Sequence, residues 1–580
     1  MDKNIASYLL ASLLNRAELQ QVGVVSNQEQ EALAFAIRYL SGRASTTTSI
    51  VPTDESSVSE PKGLSTPAMA IPTDGAGDVG QQRASDAKPV PVVELVLDSL
   101  QGTEGCEDNV LLCLDFGTAM SKAFATTSDG EHLDLELGKA AGREGYALPS
   151  SVFIGDDGQV YFGFEAVDKS VNVQELGRER LDSIKSWLSF RDDGNLDAEL
   201  LPKTYNPITD VKLTEGDLLR AYLAFLTDMT CTSLGDWEMD GRPIRRYVRR
   251  RFARPCGKNV QQAQWVDDLM KRLLAEAQVL ADTFHGQWSG GVPVAELKAA
   301  IEALRSLSDR PEYLVAEGVP EPVAVAATPV EVSENRIDAY MVVDAGAGTT
   351  DFGLFFSMRN QSLEEPKVFQ VAPSILGLNY AGDKVDLLLQ KFIADKESVD
   401  QSSMQGKMVA LDLRRRIRVL KELLFTNGEL DYVLADSSIG HVKLEEFCNS
   451  EQVQKFSDRL EQGFRDALSS VDETYLDYLA TEPVRLQVIL TGGSSKLPML
   501  ASLGSGYVEV KGRKILRTLV DATPEWIIDE GDEMRTVYPQ LAVAIGGAAD
   551  ELPSTDYAPL EWIRRSRPSY VAGNMQITGT

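Results

Sequence analysis

The chain has 580 residues, 43% of them hydrophobic and 25% charged, with a formal net charge of −30 at pH 7. Such a length calls for two or more cores, and the composition is that of a soluble globular protein. The acidity argues against a general nucleic-acid binder, whose footprint would be basic. Five cysteines without a CxxC pair and three well-separated histidines argue against a disulfide framework and a histidine-based zinc site. No apolar run is long enough for a bilayer and the first residues lack a signal-peptide core, so a cytoplasmic protein without membrane contact is expected.

Residues 1–42 read as a helical docking segment. Ile5, Leu9 and Leu13 share one face, and Ser26 with Glu29 forms a capping box. Leu33, Ala36, Ile37 and Leu40 then follow the helical period up to Gly42. Residues 43–105 are expected to be a disordered linker, rich in Ser, Thr, Asp, Gly and Pro, with the apolar stretch 92–97 as an added strand or docking segment. From 106 to about 550 apolar strand-like runs alternate with amphipathic helices, the α/β pattern, divided into 106–335 and 336–550 and followed by a tail, 551–580. Residues 242–254 carry seven arginines, Arg242 and Arg254 at the ends. Ile244, Val248 and Phe252 are expected to face inward there and the arginines outward, as a solvated face or as a partner- or anion-binding patch. Asn427-Gly428 reads as a tight turn leading into a strand.

Two distant segments share a pattern. Residues 110–118 and 340–351 are each a buried-strand run ending in Asp (Asp115, Asp344), followed by Gly and Thr. Glycine brings the backbone close to a ligand, and exposed amides with a Thr hydroxyl donate to phosphate oxygens. The Asp offers a hard oxygen to Mg²⁺, through water. Two such hairpins suggest duplicated halves closing on one nucleotide. No GxxxxGK[ST] occurs, and Asp351 and Phe352 stand where a dinucleotide fingerprint needs its third glycine.

These residues resemble the heat-shock 70 (DnaK-type) ATPases of the actin/sugar-kinase superfamily. Asp115-Phe116-Gly117-Thr118 with Lys122 is similar to the first phosphate motif, and the run from Asp344 through Gly346, Gly348, Thr349 and Thr350 to Asp351 to the second. Glu321-Pro322 resembles the segment whose glutamate places the attacking water. Gly492-Gly493-Ser494 with Lys496 resembles the adenosine motif. Weaker echoes are Leu148-Pro149, Ile184-Lys185, and Gly382 followed by Lys421, which would add nucleoside contacts. The chain departs from the family at the catalytic lysine, where Val167 stands in the matching position and Lys169 lies two further on. It departs again at Arg418, where a glutamate is usual, and at Ala347, and after Gly546 too few residues remain for the β-sandwich and lid that bind client peptides.

The resemblance implies a two-lobed actin-like ATPase fold built of duplicated ribonuclease-H-like α/β domains, with an N-terminal helical extension. It implies ATP/ADP and Mg²⁺ as ligands, with Asp115 and Asp344 on the metal through water. Gly117, Thr118, Lys122, Gly346, Gly348, Thr349 and Thr350 would hold phosphates, and Glu321, with Asp351, the water. The expected function is a nucleotide-dependent switch or chaperone-like factor, read by a protein partner through residues 1–42 or the arginine run. The alternatives are an actin-like filament former, a small-molecule kinase and a non-hydrolysing ATP-binding scaffold.

Overall fold

The computed structural model describes residues 91–102, 106–171, 178–190, 195–206, 211–257, 259–328, 337–358, 367–556 and 558–566. The chain divides into two compact units, Met1–Asp86 and Ala87–Thr580. The helical segment 1–42 and the linker up to residue 90 lie outside the described residues, and everything below concerns the second unit.

That unit is mixed α/β. Its first sheet holds β1 (Glu107–Asp115), β2 (Met120–Thr127), β3 (His132–Asp134), β4 (Val248–Arg254) and β5 (Val315–Pro320), in the order β5-β4-β1-β2-β3. Its second holds β6 (Ile337–Ala345), β7 (Thr350–Met358), β8 (Lys367–Gln370), β9 (Leu486–Thr491), β10 (Ser505–Val510) and β11 (Arg513–Leu519), in the order β8-β7-β6-β9-β11-β10. In each, an antiparallel three-strand meander is followed by two strands parallel to its first. The likeness of the two sequence motifs therefore extends to strand order and direction. Strands β6 and β7 are buried on both faces, which is why they read as near-continuous apolar runs rather than alternating ones.

Helices α1 (Glu215–Leu234) and α2 (Val260–Thr283) pack together in the first core. Thr214 and Asp217 cap α1 reciprocally, and Asn259 caps α2. The short α3 (Glu321–Ala326) leaves β5, while α4 (Gly382–Lys396) and α5 (Met404–Asn427) cover the second core. Gly428 ends α5 in the left-handed region at φ +78°, so the turn at Asn427-Gly428 is a helix stop, and Glu429–Val433 follows as the expected strand. A third core lies between the sheets, built around α6 (Asp532–Gly547), which packs on α3, β1, β2, β4 and β9. Gly546 lies on the carbonyl of Ala324 and Gly547 on Cys113 Sγ, so closely that a Cβ at either would overlap them.

Three expectations need correction. Residues 92–97, placed within the disordered linker, take the docking alternative rather than the strand: Val93 and Leu95 pack on the first core, and the Val96 amide donates to Thr283 Oγ1 at 3.1 Å. The stretch after 550 includes a helix, Ala558–Ser566, whose Leu560 and Ile563 enter the second core. The arginines of 242–254 do not all point outward. Val248, Arg250 and Phe252 share one face of β4, because side chains alternate along a strand. Arg250 is therefore 1% exposed and donates to Gln278 Oε1 at 2.7 Å. Arg242 pairs with Glu107, Arg246 with Asp228 and Asp282, and Arg251 with Glu317 and the carbonyl of Ala549 beyond the end of α6. Arg245 and Arg249 are exposed.

Gly546→Ala is expected to lower unfolding stability by about 1–3 kcal/mol, since neither helix can yield without disturbing the inter-sheet core. Gly493→Ala, which would meet no atom within 4 Å, should unfold like the parent chain. Denaturant titration of the two variants beside it checks this, and equal midpoints for all three would contradict it.

Candidate functional site

The two hairpins meet. At the first, β1 ends on Asp115, and Gly117 is required because a Cβ there would overlap the Met120 carbonyl. Ser150 Oγ donates to the Gly117 carbonyl at 2.7 Å, and Lys122, opposite Asp115 in the ladder, places Nζ 3.1 Å from Asp115 Oδ2. At the second, the Gly346 amide closes the turn on the Thr349 carbonyl at 3.0 Å, and Asp344 and Asp351 face each other across the ladder. A Cβ on Gly348 would sit 2.8 Å from Thr118 Oγ1, so the tips of the two hairpins abut.

Glu321 heads α3 and is buried, where Lys185 Nζ donates to its Oε1 at 2.5 Å. Lys185 is the residue that sequence reading missed as a member of the site. The position expected for a lysine belongs to the helix Gly163–Val171, on which Lys169 is exposed and lies over the Tyr161 ring, 4.9 Å from its centroid. The ammonium arrives instead from just before the helix Ser186–Phe190, and the Ile184-Lys185 echo was its only sequence signal.

Asp115, Glu321, Asp344 and Asp351 are all buried, against the two ammonium groups of Lys122 and Lys185. Burial, then the nearby charges of Glu321 and Asp115, push Asp344 up to about 7, although Thr491 Oγ1 donates to its Oδ1 at 2.8 Å. Asp351 is also pushed well up, by burial and then by Glu321. Its Oδ1 accepts the Cys256 amide at 3.0 Å, while its buried Oδ2 has no partner. Burial opposes the charge on Lys185, but Glu321, Asp115 and Asp351 outweigh it and raise its pKa. Burial likewise pushes the Cys256 thiol well up, helped by Asp351.

Beside the second hairpin, the amides of Gly382 and Asp383 donate to the carbonyls of Gly346 and Ala347 at 3.3 and 2.7 Å. Ser494 Oγ donates to the Gly346 carbonyl at 2.7 Å, and Lys421 reaches the Gly382 carbonyl at 3.3 Å and Asp386 at 2.9 Å. Gly492 takes φ +85° against the backbone of Ala345, a position that excludes any side chain, while Gly493 is open. Gly346, Gly382, Lys421, Gly492 and Ser494 are thus brought together. Lys496 is exposed, and Thr350 is turned away, its hydroxyl donating to the Tyr380 carbonyl at 2.6 Å.

Asp344 holds its proton more tightly in the folded chain than at the ordinary carboxylate value of 3.8. Its contribution to folding is present below that value and is lost as pH rises through about 7. Asp344→Asn, which cannot ionise, is therefore expected to melt above the parent at pH 8, the gap closing by about pH 4. Scanning calorimetry of the ligand-free proteins checks it, and equal melting at pH 8 would contradict it.

Among the described residues no helix is long and apolar enough to cross a membrane. Comparison with models of known protein families finds no match, and no curated protein matches the chain.

Proposed function

We propose that the chain is a DnaK-like ATPase with two actin-like lobes, which hydrolyses Mg-ATP and serves as a nucleotide-dependent switch or chaperone-like factor. The observation that carries this reading is the abutment of the Asp115–Thr118 and Asp344–Thr349 turns beside the buried Glu321–Lys185 pair. The repeated strand order of the two sheets supports the duplicated fold.

The residues fit magnesium. Four buried carboxylates outnumber two ammonium groups, and Asp351 Oδ2 lacks any donor. Asp115 and Asp344 would hold the ion through water, as suits magnesium's reluctance to dehydrate. When bound, the ion would neutralise charge on the phosphates. Thr118, Thr349 and the hairpin amides would bind the phosphate oxygens, and Gly382, Lys421, Gly492 and Ser494 the nucleoside. Glu321 would accept a hydrogen bond from the attacking water and orient it, and the ammonium of Lys185 would steady both Glu321 and the charge developing on the terminal phosphate. The same ammonium supplies the site with a lysine that position 167 lacks, which favours hydrolysis over a non-hydrolysing scaffold. A protein partner would read the state of the lobes. Segment 1–42 is the better candidate for its docking, since most of the arginine run is spent on internal pairs.

Mg-dependent ATP turnover by the purified chain tests this. Glu321→Gln and Lys185→Ala are each expected to lower kcat by roughly 10²–10³ with nucleotide still bound. Asp344→Asn should abolish the Mg dependence. Nucleotide binding with no turnover in any of the four proteins would overturn hydrolysis, and no binding at all would overturn the nucleotide reading.

A further inference from the structure

Lys185 is carried by a segment that touches both halves of the unit. Residues 178–185 are anchored on the first half. Leu181 exchanges backbone hydrogen bonds of 2.8 and 2.9 Å with Val152, and Asp182 accepts from Ser151 Oγ at 2.6 Å and from Arg180. Their other side is bonded to α4 and α5 of the second half. Arg414 reaches Glu179 at 2.7 Å, and Arg415 donates to the Arg178 carbonyl at 3.1 Å. Arg418 donates to Asp383 Oδ1 at 3.3 Å and to the Asp182 carbonyl at 3.5 Å, and Ser183 Oγ donates to Asp383 Oδ2 at 2.9 Å. Asp383 in turn is held by its amide to the second hairpin at Ala347.

These bonds form a continuous path from the second half to the buried ammonium. Ser183 and Lys185 are separated by two peptide units, at most about 7 Å of chain, so a displacement at Ser183 has little slack before it reaches Lys185. Exposed ion pairs such as Arg414–Glu179 contribute little by themselves. The part-buried cluster of Arg418, Asp383, Ser183 and the Asp182 carbonyl, with charge-assisted bonds, is the stronger link.

We propose that residues 178–185 are a strap whose bonds to α4 and α5 hold Lys185 in the acidic centre, so that separating the two halves withdraws the ammonium from Glu321. The consequence for turnover rests on the ATPase reading: hydrolysis is licensed only while the halves are together, and a partner that parts them stops it. The placing of Lys185 does not depend on any nucleotide.

The test is lysine acetylation of the full, nucleotide-free chain followed by mass spectrometry, with Lys139, whose side chain is 64% exposed, as internal reference. Lys185 should be protected in the parent and modified roughly tenfold faster in Arg418→Ala, the loss expected for a charge-assisted hydrogen bond, with Lys139 unchanged. Ser183→Ala removes one hydroxyl and should give a smaller acceleration in the same direction, which keeps the test available if Arg418→Ala does not fold. Unchanged protection of Lys185 in folded variants overturns the strap. Single-turnover ATP hydrolysis on the same samples separates the two readings. Faster labelling with slower hydrolysis supports both, whereas faster labelling with no hydrolysis even in the parent supports the strap and overturns the ATPase. Slower hydrolysis with unchanged labelling overturns the strap and leaves Arg418 acting on the nucleotide itself.

Discussion

The unbalanced charge of four buried carboxylates, Asp115, Glu321, Asp344 and Asp351, is the constraint around which this structure is arranged. Taking carboxylates out of water is costly unless they are paired or protonated. The chain uses both means. Lys185 lies on Glu321 and Lys122 on Asp115, while Asp344 is driven toward neutrality and the buried Oδ2 of Asp351 is left without a hydrogen-bond partner. A site with this residual demand for positive charge is suited to a cationic ligand, and the glycine turns beside it are suited to a phosphate chain.

The scaffold brings these groups together by repetition. Each sheet carries an Asp in the last two residues of a central strand and turns through glycine, and α6 lies between the sheets with Gly546 against α3 and Gly547 against β1. Glu321 and Asp115 are thereby tied to the same helix, one through the Ala324 carbonyl and the other through Cys113. The second half reaches the site by its own hairpin and, through Arg418 and Asp383, by the segment that carries Lys185.

Much of this was legible in the sequence, for reasons that differ by residue. The Asp-Gly-Thr turns, Glu321 and Gly492 depend on local backbone chemistry, which leaves a pattern in consecutive residues. Lys185 does not, because its role depends on where a long flexible side chain ends after folding. Thr350 fits its motif yet spends its hydroxyl on Tyr380, a partner thirty residues away in the chain. Arg250 was expected outside because charge runs usually are. The strand period places it beside Val248 and Phe252, and α2 supplies Gln278 to meet it.

The central claim is that two hairpins grip one nucleotide, and equilibrium dialysis with labelled Mg-ATP tests it most directly, on the parent chain and on Gly117→Ala and Gly348→Ala separately. The account predicts one nucleotide per chain, lost or weakened by at least about tenfold in either variant, because each added methyl group crowds a different hairpin at the same site. Retention of full affinity when either hairpin is blocked would contradict it.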